Sequence, residues 1–237
     1  MNIVFVADAH LKGLDDPNQE SLVKFLDGLD GIDLLVILGD LFDFWGGDNR
    51  VVRRHYRPAL DALLRIRERG IKILYLEGNH DFSMGKFFIR TLEADVYGDC
   101  VELEVEPGRR FFLAHGDLIA GGVLHAAWRQ SLKSGLMRMI MTSLGPWAVW
   151  KIAGSLSKKS RQYSEKKDVD KALREFARRR IGSGSNAVVL GHSHVGGVCT
   201  EKSEGRSGTY ANPGSWAGAK SYLQYEKGKF KLNRWKG

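Results

Sequence analysis

Five times along this chain a mainly apolar, strand-like run ends in a short polar motif, a pattern that few architectures other than a layered α/β fold satisfy. The runs are Asn2–Ala7, Asp33–Leu38, Ile71–Leu76, Arg109–Ala114 and Ala187–Leu190. The motifs that follow them are Asp8-Ala9-His10, Gly39-Asp40-Leu41-Phe42-Asp43, Gly78-Asn79-His80-Asp81, His115-Gly116-Asp117 and Gly191-His192-Ser193-His194. Continuous apolar runs of this length suit strands buried on both faces. Polar groups beyond the carboxyl ends of such strands are where open α/β sheets bind ligands.

Helical patterns alternate with the strands up to residue 118. Leu22, Phe25, Leu26 and Leu29 repeat at helical spacing over Asn18–Leu29. Val51–Arg69 reads as one long charged helix, kinked at Pro58 and stopped by Gly70. Lys86–Leu92 reads as a short helix, and Val101–Glu106 with Arg109–Ala114 as a hairpin around Pro107-Gly108. Residues 119–165 carry no strand signal and read as helices. Asp168–Arg180 is a further charged helix, and Thr209–Ala211, Ser221–Tyr225 and Lys229–Leu232 close the chain as short strands. The expectation is a single α/β domain over residues 1–237, with two sheets flanked by helices and a helical cap inserted at 119–167.

The charge of +8 restricts partners to anions: nucleotides, nucleic acid or an acidic membrane surface. It is concentrated. Between Gly121 and Lys171 stand ten Lys or Arg against three acids, so the rest of the chain is close to neutral. Two cysteines, Cys100 and Cys199, form no multi-bridge framework, and a reducing cytosol is the expectation. Met1–Ala7 lacks a basic n-region and runs directly into Asp8 and His10, so it reads as a first strand and not as a signal peptide. The most membrane-like stretch, Met139–Trp150, spans 12 residues and is interrupted by Gly145-Pro146. A spanning helix needs about 20.

The motif residues suggest a metal centre. Asp8 and His10 are two apart on what reads as an extended segment, so their side chains point the same way; His192 and His194 share that spacing. Mixed Asp, Asn and His donors suit borderline divalent ions such as Mn²⁺, Fe²⁺ or Zn²⁺ better than Ca²⁺. Asp40 has two carboxylate oxygens with which to bridge a pair of ions. Two such ions activate a shared water and clamp the attacking and leaving oxygens of an in-line displacement. Against Asp8 and Asp40 they leave the site net positive, which favours a phosphate ester or anhydride. His55, alone on the charged helix, reads as a solvated surface histidine, and Asp81 and Asp117 read equally well as turn residues.

The ordered set D-x-H, G-D-x-x-[DE], G-N-H-[DE], H and G-H-x-H resembles the calcineurin-like metallophosphoesterase superfamily, and the match runs from Asp8 to His194. The resemblance implies a two-sheet α/β/β/α sandwich. It also implies that Asp8, His10 and His194 hold one metal and Asn79, His115 and His192 the other, with Asp40 bridging. His80 would contact the scissile phosphate and protonate the leaving group, oriented by Asp43.

The insertion narrows the substrate. Trp128, Leu132, Leu136, Met137, Ile140, Trp147, Trp150 and neighbours lie among its basic residues, as cap packing, an apolar chamber or an interfacial membrane surface. Single-strand nucleic-acid binding wants exposed aromatics in a groove, and the mainly aliphatic clustering here disfavours it. The blocks Ile3–His10, Ile37–Trp45 and Gly78–Phe82, followed by Gly85-Lys86, resemble the UDP-2,3-diacylglucosamine diphosphatase family of lipid A synthesis. That resemblance implies a peripheral protein on the cytoplasmic face of the inner membrane, two Mn²⁺ ions, and an acylated nucleotide-sugar substrate held by Ser160, Arg161, Ser164, Lys166 and Lys167. The chain departs from the family's best-studied members in carrying His80 where they have Arg. Gly122 and His125 replace a customary Asp and Tyr, and the C-terminal Gly-x-Trp region is matched approximately by Gly214-Ser215-Trp216. The competing reading is a soluble metallophosphodiesterase or nuclease of the same superfamily.

Overall fold

The computed structural model describes residues 1–45, 47–121, 131 and 167–237. In chain order the elements are β1 (Ile3–Val6), α1 (Pro17–Asp27), β2 (Leu34–Leu38), α2 (Arg50–His55), α3 (Arg57–Glu68), β3 (Lys72–Leu76), a π-helical turn (Phe87–Thr91), β4 (Asp95–Tyr97), β5 (Cys100–Glu106), β6 (Arg109–Ala114) and α4 (Asp117–Ala120). After the insertion follow α5 (Lys167–Gly182), β7 (Ala187–Leu190), β8 (Gly197–Ser203), β9 (Arg206–Asn212), α6 (Trp216–Ala219), β10 (Ser221–Glu226) and β11 (Lys229–Arg234).

The strands form two mixed sheets, ordered β11-β10-β1-β2-β3-β4 and β5-β6-β7-β9-β8. In the first, β1 to β4 run parallel; in the second, β6, β7 and β9 do. Side-chain alternation sorts each strand between two cores. Ile3, Phe5, Leu34, Val36 and Leu38 meet Phe111, Leu113, Val189 and Ala211 between the sheets. The alternate residues Val4, Val6, Leu35, Ile37 and Ile73 face outward onto Leu22, Phe25, Leu60, Leu63 and Ile66 of α1 and α3. On the other side Phe112, Val188, Leu190 and Tyr210 cover Leu173, Ala177 and Ile181 of α5. Each such Leu or Ile, fully buried, contributes roughly 1.5–3 kcal/mol of transfer free energy. The result is the α/β/β/α sandwich expected, with the central strands of both sheets buried on both faces.

Local chemistry sets the helix ends. Asp16 caps α1 by accepting the Asn18 N–H at 3.0 Å, and Pro17 follows at the first helical position, where no donor is lost. Arg65 grips Asp27 with two hydrogen bonds, at 2.8 and 2.9 Å, and Arg69 donates to the last carbonyls of α1, so α1 and α3 are tied at their ends. The single helix expected over Val51–Arg69 is two. It breaks at Tyr56, and Pro58 sits in the first turn of α3, where it needs no N–H partner. The short helix expected over Lys86–Leu92 is a π-helical turn. β4 and β8 were not foreseen: both are sheet edges, short or polar. The cap expected at 119–167 lies almost wholly outside the described residues. Of the substrate contacts assigned to it, Ser160, Arg161, Ser164 and Lys166 lie outside as well, and Lys167 is the first residue of α5.

Candidate metal centre

All five motifs leave their strands at the same rim. Their loop backbones are laced together there. The His10 N–H donates to the Asp40 carbonyl at 3.0 Å and the Asp43 N–H to that of Leu11 at 2.9 Å; Trp45 donates to His80 and Phe82 to Trp45, each at 2.9 Å. Between the sheets, His115 Nδ1 donates to the Leu38 carbonyl at 2.7 Å. A carbonyl only accepts, so Nδ1 carries a proton and Nε2 is the nitrogen that faces the site.

Three groups of donor atoms converge at this rim: Asp8, His10 and His194; His10, Asp40 and His80; and Asp40, His115 and His192. Asp40 belongs to two of them, as a bridging carboxylate would. His194 Nε2 lies 3.3 Å from Asp8 Oδ1, and His115 Nε2 lies 3.4 Å from Asp40 Oδ2 and 3.3 Å from Asn79 Oδ1. His80 stands with Nε2 3.9 Å from Asp40 Oδ2, its N–H donating to Asp40 Oδ1 at 2.9 Å. Its Nδ1 is held at 3.0 Å by the backbone carbonyl of Asp43, so the contact that orients the ring runs through the Asp43 main chain.

Asp8, His10, Asp40, His192 and His194 all have left-handed backbone, with φ between 44° and 66°. The sequence expectation of extended i, i+2 pairs is therefore corrected. Each chain turns sharply as it leaves its strand, and His192 and His194 feed different donor groups. Left-handed geometry costs non-glycine residues roughly 1–2 kcal/mol each and persists where the surroundings over-determine it. Gly78 lets the loops close. A Cβ there would lie 2.1 Å from Asp40 Oδ1.

The donor set fits metal ions on two observations. Asp8 and Asp40 are carboxylates 0% and 2% exposed, a burial that otherwise demands strong compensation. Among the described residues, Asp8 Oδ1 and both ring nitrogens of His10 are buried with no hydrogen-bond partner. A buried carboxylate oxygen and a ring nitrogen left unsatisfied in one donor group are what an ion of +2 charge would satisfy.

The ionisation pattern agrees. Burial pushes the His10 and His192 rings down to about 4, so both are neutral near pH 7. Burial also opposes charge on His115, but Asp40 outweighs it and lifts that ring to about 10. Asp40 is held well below the usual carboxylate range, burial being overcome by His115 and His80, and Asp8 is lowered in the same way by His194. The metal-free site thus carries a proton on His115 where a bound cation would stand. Its sign is definite: metal binding must expel that proton, so affinity rises with pH. Between pH 6.5 and about 10, the apparent Kd for Mn²⁺ is expected to fall about tenfold per pH unit for each proton released. Titration calorimetry in buffers of different ionisation enthalpy checks this; an affinity flat over that window contradicts it.

Three residues that read from sequence as turn or surface positions take further contacts here. Asp81 is fully buried and accepts the N–H groups of Asp40, Leu41 and Gly78 at 3.0, 2.6 and 2.8 Å and the Tyr75 hydroxyl at 2.5 Å, so it is a bracket between two ligand loops and more than a turn residue. Asp117 opens α4 behind left-handed Gly116, an acid in a first helical turn. His55 is no free surface side chain: its Nε2 meets the Lys12 carbonyl at 2.6 Å and its ring lies over Gly13, tying α2 to the loop after His10.

The calcineurin-like phosphoesterase family model matches residues 1–196. The chain is 26% identical over 241 residues to the UDP-2,3-diacylglucosamine hydrolase of Psychromonas ingrahamii, covering 98% of this chain and 96% of that protein. The Pseudomonas aeruginosa (strain UCBPP-PA14) protein of the same name is 29% identical over 201 residues, 82% of each chain. That of Aeromonas salmonicida is 36% identical over 120 residues, and there the match spans about half of either protein, 50% of this chain and 46% of the other.

Proposed function

The chain belongs to the calcineurin-like phosphoesterase family, and from that premise we propose that it hydrolyses the diphosphate of UDP-2,3-diacylglucosamine to UMP and 2,3-diacylglucosamine 1-phosphate. The observation that carries the reaction class is the convergence of Asp8, His10, Asp40, His80, His115, His192 and His194 from five strand ends onto one rim, with Asp40 shared between donor groups. The substrate rests on the relatives of that name matched over most of their length.

In this reading Asp8, His10 and His194 would hold one divalent ion, Mn²⁺, and Asn79, His115 and His192 a second, with Asp40 shared between them; when bound, the pair would supply an activated water and charge neutralisation at the phosphate. The left-handed turns fix these side chains before any ligand arrives, so little reorganisation remains at the moment of reaction. His80 is locked through Nδ1 by the Asp43 carbonyl. Its Nε2 is left to meet the phosphate and to deliver a proton to the departing oxygen. Asp43 acts as a positioning residue through its main chain.

The same reading assigns polar contacts with the diphosphate to Ser160, Arg161, Ser164, Lys166 and Lys167, on resemblance alone. It places the enzyme at the cytoplasmic face of the inner membrane as a peripheral protein. Among the described residues no helix is long and apolar enough to cross a membrane, and the basic, apolar composition of the insertion supports contact with an anionic lipid surface.

Incubating the protein with Mn²⁺ and UDP-2,3-diacylglucosamine tests the substrate. The expected products are UMP and the lipid 1-phosphate in equal amounts. Absence of UMP, together with turnover of a simple phosphodiester or of DNA, would replace this substrate with the soluble alternative.

A further inference from the structure

The segment Asn212-Pro213-Gly214-Ser215-Trp216 leaves the end of β9 at the same rim as the five motifs, yet none of its side chains belongs to the donor groups. What it does touch is the main chain beneath two of them. Asn212 is 0% exposed. Its Nδ2 donates to the Gly191 carbonyl at 3.0 Å and to Ser193 Oγ at 3.1 Å, and its Oδ1 accepts the Gly214 N–H at 2.8 Å. The buried Ser215 hydroxyl donates to the Asp8 carbonyl at 2.9 Å. The N–H groups of Trp216 and Ala217 donate to the carbonyls of Ala7 and Asp8, each at 3.1 Å.

These contacts join the two sheets at one point. Asn212 ends β9 of the second sheet and grips the turn that carries His192 and His194. Ser215, three residues later, grips the turn that carries Asp8, at the end of β1 in the first sheet. The two turns also meet directly, through the His192 N–H donating to Asp8 Oδ2 at 3.0 Å. Both turns hold their ligands in left-handed backbone, with φ of 52° at Asp8, 66° at His192 and 58° at His194. A turn left to itself would relax from that conformation, so something must hold it. Gly214 permits the close approach: its φ is 73°, and a Cβ there would lie 2.5 Å from Ser221 Oγ.

We propose that Asn212 and Ser215 are positioning residues of the metal centre, a clasp that holds the Asp8 turn against the His192–His194 turn in the geometry an ion requires. The inference rests on reading the site as a metal centre. Hydrogen bonds behind metal ligands typically change metal affinity by about 10–100-fold.

The test compares Ser215→Ala, Asn212→Ala and the conservative Ser215→Thr with the wild type, using Mn²⁺ as the probe. Free Mn²⁺ is followed by electron paramagnetic resonance during titration of the metal-free protein, and thermal unfolding of that metal-free protein is measured alongside. Both alanine variants are expected to bind Mn²⁺ about 10–100-fold more weakly, while the metal-free Tm falls by about 2–4 °C in Ser215→Ala and further in Asn212→Ala, which loses three buried hydrogen bonds. Ser215→Thr keeps the hydroxyl and is expected to restore the affinity. Wild-type affinity in variants that lose only Tm would overturn the clasp and leave the segment a purely structural corner. Should Asn212→Ala fail to fold, the Ser215 pair decides alone. A wild type that binds no Mn²⁺ would instead refute the metal reading, a different and separable result.

Discussion

Asp40→Ala is expected to cut turnover by at least about 10³-fold. A bridging carboxylate positions both ions, and the charge stabilisation they provide is worth several kcal/mol at about 1.36 kcal/mol per tenfold in rate. Among the described residues two side chains stand in two of the donor groups, Asp40 and His10, and of these only Asp40 has a carboxylate's two oxygens to share. A second readout separates loss of chemistry from loss of fold. In the metal-free wild type, burial disfavours the charged His115 ring and Asp40 reverses that, raising it to about 10. Without Asp40 the burial is opposed mainly by Asp8, so the His115 pKa must fall. Proton titration followed by NMR in the folded variant reads this directly. Retained activity with an unmoved His115 would remove Asp40 from the centre of the account.

Asp81→Ala is expected to produce the largest loss of stability, about 3–5 kcal/mol, in a site where most exposed substitutions change little. The carboxylate accepts from four backbone N–H groups and one hydroxyl, all buried, and the alanine leaves those donors unmatched at about 1–3 kcal/mol each, not fully additive. At about 2–4 °C per kcal/mol for a chain of this size, the Tm falls by roughly 6–20 °C. The pH dependence has a definite sign. Burial first, and Asp40 next, raise the Asp81 pKa from 3.8 to about 6. An acid raised in the folded state stabilises most below its unfolded pKa and gives that stability up as pH rises through the folded value. The penalty of Asp81→Ala is therefore expected to be larger near pH 5 than near pH 8. His10 and His192, lowered to about 4, must gain protons on unfolding in both proteins, so their contribution cancels in the difference. Urea melts of metal-free wild type and variant at the two pH values check it, and a penalty that grows with pH would contradict the assignment.

Much of this architecture was legible because it is written in buried strands. Runs such as Leu34–Leu38 are apolar at every position, since one face of the strand meets the other sheet and the other face meets a helix. The motif residues were legible because Asp, Asn and His in such number at strand ends have few structural uses. What stayed hidden depends on tertiary neighbours. β8, Gly197–Ser203, is mostly polar, lies at a sheet edge and carries no buried-strand signature. The left-handed turns at Asp8 and His192 do not show in the residue types, because the chain uses side chains there that it needs as donors and not the glycine such a φ favours. Asp81 looked like a turn residue because its acceptors' partners are forty residues away in Asp40 and Leu41. His55 looked solvated because its partner, the Lys12 carbonyl, lies in a loop 43 residues earlier. Only the Asn-Pro-Gly-Ser turn after β9 offered a readable clue, a sixth polar turn following a strand at the same rim.

Anomalous diffraction from crystals grown with Mn²⁺ tests the central claim most directly. Two peaks are predicted, roughly 3.5–4 Å apart as in two-metal sites, one among Asp8, His10 and His194, the other among Asn79, His115 and His192, with Asp40 touching both. A single peak, or peaks that leave Asp40 uncoordinated, would contradict it.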